Sequence, residues 1–322
     1  MPTFLEAIRE GLYQEMERDP SVVVLGEDVG EGGVFRATEG FVDHFGRERV
    51  IDSPLAESSI VGVSIGAAVN GLRPVPEIQF SDYIHPAMNQ LINEAAKMRY
   101  LTEGSFNCPI TVRAPFGGGV HGGPFHSQCV EALFFHIPGL KICTPATAED
   151  AKGLLLSAIR DPDPVLFFEH KYLYRRQRAD NLSDDALPMG QAIVRREGKH
   201  LTIVTYAAMV HRALEAADLA DREGVSVEVL DLRTLCPLDR QSILDSVKKT
   251  SKCIVLHEDN KTGGIGGEIS ALLSEEAFDY LDGPIVRIAA PDVHFSFSLV
   301  LEEAYLPSTE RVLEAIRKLA AY

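Results

Sequence analysis

Two series of alternating strand and helix patterns, separated by a polar break, constrain this 322-residue chain more than any other feature of it. In the first series "SVVVLGED" (21–28), "RPVPEIQF" (73–80), "PITVRAP" (109–115), "LKICTPA" (140–146) and "PVLFFEH" (164–170) read as strands. "HPAMNQLINEAAKMRYL" (85–101) reads as one long helix, and "AEDAKGLLLSAIRD" (148–161) as another. "RRQRADNLSDDALPMG" (175–190) is polar, lacks a period and reads as a linker. The second series has strands at "LTIVTYAA" (201–208), "VSVEVLDLRTL" (225–235), "KCIVLHED" (252–259) and "PIVRIAAPD" (284–292). Helices are expected at 210–224, 267–281 and 309–322. Short β-rich runs between helices predict mostly parallel sheets covered on both faces, hence two α/β domains of unequal size.

Composition excludes several classes of function. No apolar run reaches the roughly 18 residues of a membrane helix. The formal charge is −16, and the basic residues form no block beyond "YRRQR" at 174–178, which disfavours nucleic acid as a partner. The amphipathic, acid-bearing start "MPTFLEAIREGLYQEMERD" does not look like a secretory or transit signal. A bacterial cytoplasmic location is expected, with a processed organellar chain as the alternative. Cys108, Cys129, Cys143, Cys236 and Cys253 form no CxxC pair, which argues against zinc and a redox dithiol.

The richest stretch for chemistry is "APFGGGVHGGPFHSQCVEA" (114–132), which lies after a strand and before a helix. Ligands of open α/β sheets bind at such carboxyl ends. Its glycines permit close approach, and its histidines, His121 and His126, offer acid/base imidazoles; an ordinary mobile loop is the plainer alternative. No nucleophile elbow, P-loop or HExxH occurs, and "TGGIGGE" (262–268) does not fit GxGxxG.

Glu57 stands at the head of "ESSIVGVSIGAAVNG", a small, apolar run that predicts a helix buried all round. A buried acid needs a partner or a use. Ser53 and Pro54 suit the N-cap and first helical positions, and a first-turn acid is favoured by the helix dipole. Gly62, Gly66 and Ala67 would admit a second helix closely. Tyr83, in "QFSDYIHPA", either fills core or offers a flat ring to a flat cofactor.

Together these stretches resemble the β subunit of the thiamine-diphosphate-dependent E1 component of 2-oxoacid dehydrogenase complexes. The matching pieces include "VVVLGEDVG", "GGVFRATEG", "RVIDSPLAESSIVGVSIGAA", "GLRPVPEIQFSDYIHPAMNQLINEAAKMRY", "GGGVHGG" leading to "FHSQ", "PGLKI" and "VEVLDLRTLCPLD". "EIQFSDYI", "FFEHKYLYR" and "GGGVHGG" look most like branched-chain 2-oxoacid members; pyruvate and acetoin E1 β subunits are the alternatives. The resemblance implies a pyrimidine-binding transketolase-like domain over 1–180, a linker over 181–195 and a transketolase C-terminal-like domain over 196–322. Both would be three-layer α/β/α domains. It also implies an α2β2 heterotetramer with an E1 α subunit, which would hold magnesium and the cofactor's diphosphate. The family's GDG…Asn diphosphate motif is absent from this chain. E2 would be the acyl-accepting partner.

Carried over by position, Glu57 matches the glutamate that contacts N1′ of the aminopyrimidine, and Tyr83 the aromatic that stacks on that ring. Leu55 and Gln79 would line the same pocket. His126 matches a histidine that donates a proton when the lipoyl disulfide opens during reductive acylation, with His121 one step removed. A structural potassium ion would sit on Ile110, Thr111, Ala158, Asp161 and Asp163, largely through carbonyls. The segment "PDVHFSFSLVLEEAYLPS" (291–308) departs from the Pro-rich stretch usual in the family. A non-catalytic scaffold subunit is a reading of another class, opposed by the joint presence of Glu57, Tyr83 and His126. A stand-alone transketolase-like enzyme is opposed by the missing GDG.

Overall fold

A computed structural model describes all 322 residues and divides them into two compact units. The first comprises residues 1–116 and 133–189, the second 117–132 and 190–322. The glycine loop therefore interrupts the first unit in sequence and folds with the second. No helix is long and apolar enough to cross a membrane.

In the first unit, β1 (Val22–Gly26), β2 (Val50–Asp52), β3 (Arg73–Glu77), β4 (Thr111–Phe116), β5 (Lys141–Cys143) and β6 (Val165–His170) pair in the order β5-β6-β4-β3-β1-β2. Every pairing is parallel. Residues along β1, β4 and β6 are buried without alternation, as expected of a sheet covered on both faces. The chain leaves β1 for β2 on one side and then places β3 on the other. The strand order thus reverses between β1 and β3, and open α/β sheets place ligands beyond the carboxyl ends at such a switch point.

The helices here are α1 (Phe4–Arg18), α2 (Phe41–Phe45), α3 (Glu57–Val69), α4 (Met98–Leu101), α5 (Glu131–Phe135), which straddles the unit boundary, and α6 (Ala148–Arg160). A capping box between Thr3 and Glu6 starts α1. Its buried face, with Phe4, Ile8, Leu12 and Met16, packs on α6, and a Cβ on Gly11 would sit 3.3 Å from Leu155 Cδ2. Lys152 is buried in α6 and carries its Nζ out to Glu10 and Asp184, 2.7 Å from each.

The second unit holds β7 (Ile193–Arg196), β8 (Leu201–Thr205), β9 (Val227–Asp231), the short β10 (Thr234–Cys236), β11 (Cys253–Asn260) and β12 (Val286–Ala290). Its sheet runs β12-β11-β8-β9-β7, parallel except for β7 at the edge. Its helices are α7 (Met209–Asp221), α8 (Arg240–Thr250), α9 (Gly266–Glu276), α10 (Leu299–Tyr305) and α11 (Thr309–Ala320).

Several expectations need correction. The single helix over 85–101 is a relay of short pieces: 3-10 turns at His85–Ala87 and Ala95–Lys97 flank a π-turn at Gln90–Glu94 before α4. The Ala95 N–H is shared by the carbonyls of Gln90 and Leu91, so the helical ladder slips there. Gly139, at φ +96°, comes so close to the Ala96 carbonyl that a Cβ would lie 2.0 Å from it, which only glycine avoids. The strand over 225–235 breaks into β9 and β10 because Arg233 turns left-handed at φ 57°. Residues of the expected 181–195 linker are anchored: Leu187 N–H donates to Gly153 O at 2.9 Å, and β7 begins at Ile193. The run after Glu57 is buried on one side only, through Ile60, Val61, Ser64, Ile65 and Ala68. On the other side Val63 is 63% exposed and nothing lies within 4 Å of a Cβ on Gly66.

The centre of the first sheet is ionic. Arg113 on β4 is buried and donates from Nε and Nη2 to Glu169 at 2.6 and 2.9 Å, and from Nη1 to Glu77 at 2.5 Å. The Tyr174 hydroxyl donates to Glu169 Oε2 at 2.6 Å. Burial opposes the Arg113 charge, but Glu169 and then Glu77 more than offset it and raise its proton affinity. Arg113→Leu strands two carboxylates in the sheet and is expected to destabilise the unit by about 3–5 kcal/mol. A urea midpoint within error of the unmodified chain would refute this.

Candidate active site

The carboxyl ends of β1 and β3 gather acids and one ring. Glu27 follows β1 directly, Gln79 lies just past β3, and Tyr83 ends a 3-10 turn at Ser81–Tyr83. Glu57 is the first residue of α3. The expected Ser53 N-cap and Pro54 first turn do not form; the cap is Ala56 and makes no side-chain bond. Ser53 N–H instead donates to Gly26 O at 2.8 Å, extending strand pairing past β2 and delaying the helix.

Glu57 and Tyr83 are both half-buried, so the fully buried acid expected from sequence is not what this chain alone presents. The groups around Glu57 are acidic. Burial pushes the Glu27 carboxyl up, and the charges of Glu57 and then Asp28 add to it. The Tyr83 hydroxyl is raised by burial first, then by Asp82, Glu57 and Glu27. Gln79 turns to Asp28, with Nε2 3.3 Å from Oδ2. Leu55 sits before α3 and is 78% exposed.

An aromatic chain fixes Tyr83. Its ring meets Phe80 edge-on at 6.0 Å, Phe80 meets Phe35 at 5.4 Å, and Phe35 meets Tyr174 at 5.1 Å. Tyr174 is bonded to Glu169, so the buried ionic centre and the Tyr83 ring form one continuous support. A flat heterocycle with a ring N–H or a protonatable nitrogen suits this place. It could satisfy Glu57 without a lysine or arginine and lie against Tyr83.

His126 belongs to the second unit. It follows a 3-10 turn at Gly123–Phe125, and its Nδ1 lies 3.2 Å from Gly122 O. A Cβ on Gly122 would lie 2.7 Å from His126 Cβ, so the loop closes tightly on its own histidine. Gly117, Gly119 and Gly123 all have φ between 65° and 82°, and His121 is left-handed at 59°. Beneath them Glu131 is fully buried and accepts the Tyr206 hydroxyl at 2.7 Å, while its Oε2 has no hydrogen-bond partner.

The residues expected to hold potassium lie together in the first unit, but their side chains are committed. Asp161 binds Lys141 Nζ at 2.7 Å, and Asp163 lies 2.6 Å from Arg99 Nε and 3.5 Å from Lys141. Ile110 O accepts Val165 N–H at 2.9 Å, Ala158 O accepts Asp161 N–H at 3.3 Å, and Thr111 pairs with Val165 in the sheet. The two carboxylates are thus engaged by cationic side chains, while each carbonyl keeps a second lone pair of the kind the expected site would use. No group of three His, Cys, Asp or Glu side chains is placed to hold a metal ion.

Residues 1–177 match the family described as "Transketolase, pyrimidine binding domain", and 190–312 match "Transketolase, C-terminal domain". The "2-oxoisovalerate dehydrogenase subunit beta" of Bacillus subtilis (strain 168) is 50% identical, with 99% of each chain covered. The chain belongs to the E1 β-subunit family of 2-oxoacid dehydrogenases. The "Pyruvate dehydrogenase E1 component subunit beta" of the same organism is 46% identical over 99% of each chain. A solved "Split gene transketolase, inactive beta4 tetramer" superposes with a TM-score of 0.80, covering 99% of this chain and 98% of that one, and at 24% identity it shows the shared fold.

Within this E1 β chain three acids went unread from sequence: Glu27, Glu258 and Glu302. For Glu27 a signal was present, since an acid pair directly after a buried strand stands at the carboxyl edge of the sheet. Glu258 and Glu302 act through backbone N–H groups more than a hundred residues away, and no local pattern announces that.

Burial, and next the charge of Asp259, push the Glu131 carboxyl up to about 8 from an ordinary 4.5. The proton is held more tightly in the folded state. Its contribution to stability is therefore complete below the ordinary value and is lost as pH rises through about 8. Denaturation midpoints should fall from roughly pH 5 to pH 8, and Glu131→Gln, which keeps the Tyr206 bond, should flatten that fall. An unchanged pH slope in the variant would count against this account.

Proposed function

We propose that this E1 β subunit, joined to an E1 α subunit, decarboxylates a branched-chain 2-oxoacid and transfers the acyl group to the lipoyl arm of E2. The observation that carries it is Glu57: an acid at the switch point of the sheet, interacting with Glu27 and with the Tyr83 ring that a file of aromatics supports. Two anionic groups so placed are mutually unfavourable until one shares a proton. Glu57 would share it with N1′ of the aminopyrimidine ring of thiamine diphosphate, and Tyr83 would hold that ring in plane. Gln79 and Leu55 would border it. When bound, that cofactor supplies the carbon nucleophile and electron sink that 2-oxoacid decarboxylation requires. His126 would donate a proton to the lipoyl sulfur that leaves as the disulfide opens.

The absent GDG…Asn pattern supports assigning the diphosphate and its magnesium to the α partner. The branched-chain substrate is supported by 50% identity to the 2-oxoisovalerate relative, against 46% for the pyruvate one. It is also supported by the wording "EIQFSDYI" and "FFEHKYLYR".

In the assembled α2β2 enzyme, Glu57→Gln should lower the decarboxylation rate on the order of a hundredfold or more. Normal assembly with undiminished decarboxylation would sink the role given to Glu57. For the unsubstituted enzyme, kcat/KM should be higher for 2-oxoisovalerate than for pyruvate or acetoin. A clear preference for pyruvate would overturn the substrate while leaving the family untouched.

A further inference from the structure

A glycine-rich loop with successive inward N–H groups ordinarily forms a cradle for an external anion. In this chain the cradle is filled from within. Gly118 N–H donates to Glu258 Oε1 at 2.6 Å, and Gly119 N–H donates to Glu302 Oε1 at 2.9 Å. His121 N–H reaches both oxygens of Glu302, at 3.3 and 3.2 Å, and the His121 imidazole Nδ1 pairs with Oε2. Glu302 is only 1% exposed, one of two buried residues, with Tyr305, in the mostly open helix α10. Two aromatic rings of the same segment close over the loop. A Cβ on Gly118 would lie 2.5 Å from Phe295, and one on Gly123 would lie 2.3 Å from Phe297. Phe295 is itself braced by Tyr305 at a ring separation of 4.1 Å. The 291–308 segment, which departs from the family pattern, thus provides one carboxylate and two rings to the loop that bears His126.

We propose that Glu302, seconded by Glu258, is a positioning residue for His126: it clamps the glycine-loop backbone so that the imidazole is presented in one place to the lipoyl disulfide. The physical need is plain. Left-handed backbone at Gly117, Gly119 and His121 leaves residues 117–122 outside any helix or strand, up to the short 3-10 turn that begins at Gly123. Buried carboxylates accepting several N–H bonds are strong enough to hold such a path. The neutral amide of a glutamine would lose the pairing with His121 and turn a donor group toward the loop N–H groups. The inference rests on the role proposed for His126.

The test uses the assembled α2β2 enzyme and compares acylation of a lipoyl domain with dye-coupled decarboxylation, which needs no lipoyl group. Glu302→Gln should lower the ratio of acylation to decarboxylation by roughly tenfold or more, since small misplacements of a reacting group carry such penalties. A parallel fall in both rates, or an unchanged ratio, would overturn the clamp. His121→Asn, at an exposed position, removes the same pairing without disturbing the buried side and should lower the ratio to a lesser degree. If Glu302→Gln does not assemble, that variant decides, and an unchanged ratio in it overturns the proposal. His126→Ala separates the two layers of inference. Acylation retained in it would refute the role of His126 and the clamp together. Acylation lost in it while Glu302→Gln keeps the normal ratio would refute the clamp alone.

Discussion

A guanidinium sealed between two carboxylates governs the first unit. Arg113 on β4 ties Glu77 at the end of β3 to Glu169 on β6, so three neighbouring strands are joined by charge as well as by their ladders. Such a group is costly to bury and tolerable only when every polar atom has a partner. Meeting that condition shapes what lies around it. Tyr174 is drawn onto Glu169, and a file of edge-on rings then runs through Phe35 and Phe80 to Tyr83. Gly26 and Gly33 lie so close to Glu77 that added Cβ atoms would fall 2.8 and 2.9 Å from its oxygens. The acidic turn after β1 is thereby drawn against the ionic centre.

The chain treats its acids in two ways. In the second unit Glu258 and Glu302 are buried and spend their lone pairs on loop N–H groups, so their charges are satisfied internally. In the first unit Glu27 and Glu57 are half-exposed, and burial, with the charge of Glu57 added to it, raises the proton affinity of the Glu27 carboxyl. The first arrangement makes a rigid loop. The second leaves like charges close together without a cationic side chain between them. The net charge of −16 describes neither arrangement, since bulk charge does not distinguish a solvated acid from a structural one.

The fold was legible because its information is local and periodic. Buried runs such as "VVVLG" and "VLFFEH" can only be interior strands when helices separate them, and they are β1 and β6. Glu57, Tyr83 and Gln79 are singled out by family wording alone, whereas periodicity leaves Glu57 as a first-turn acid and Tyr83 as core. The failures have a common origin in tertiary contact. Ser53 is pulled out of its expected cap by Gly26, and the helix over 85–101 slips into a π-turn. The partners of Glu302 lie more than 180 residues away, beyond any window in which spacing carries meaning.

Helix α3 shows how the two levels meet. Its sequence is apolar on every side, which suits a helix with no solvent-facing stripe. Within this chain it is covered on one side, and Val63 and Gly66 lie open on the other. An apolar surface left bare on a chain whose family carries the word "subunit" is consistent with the proposed heterotetramer. It also bears on Glu57, because that residue heads the same helix. A partner that covers the bare side would exclude water from the head of α3 as well as from its flank. The half-exposed carboxylate would then become the buried acid its sequence suggests. On this view the acid chemistry proposed for Glu57 would be completed by assembly.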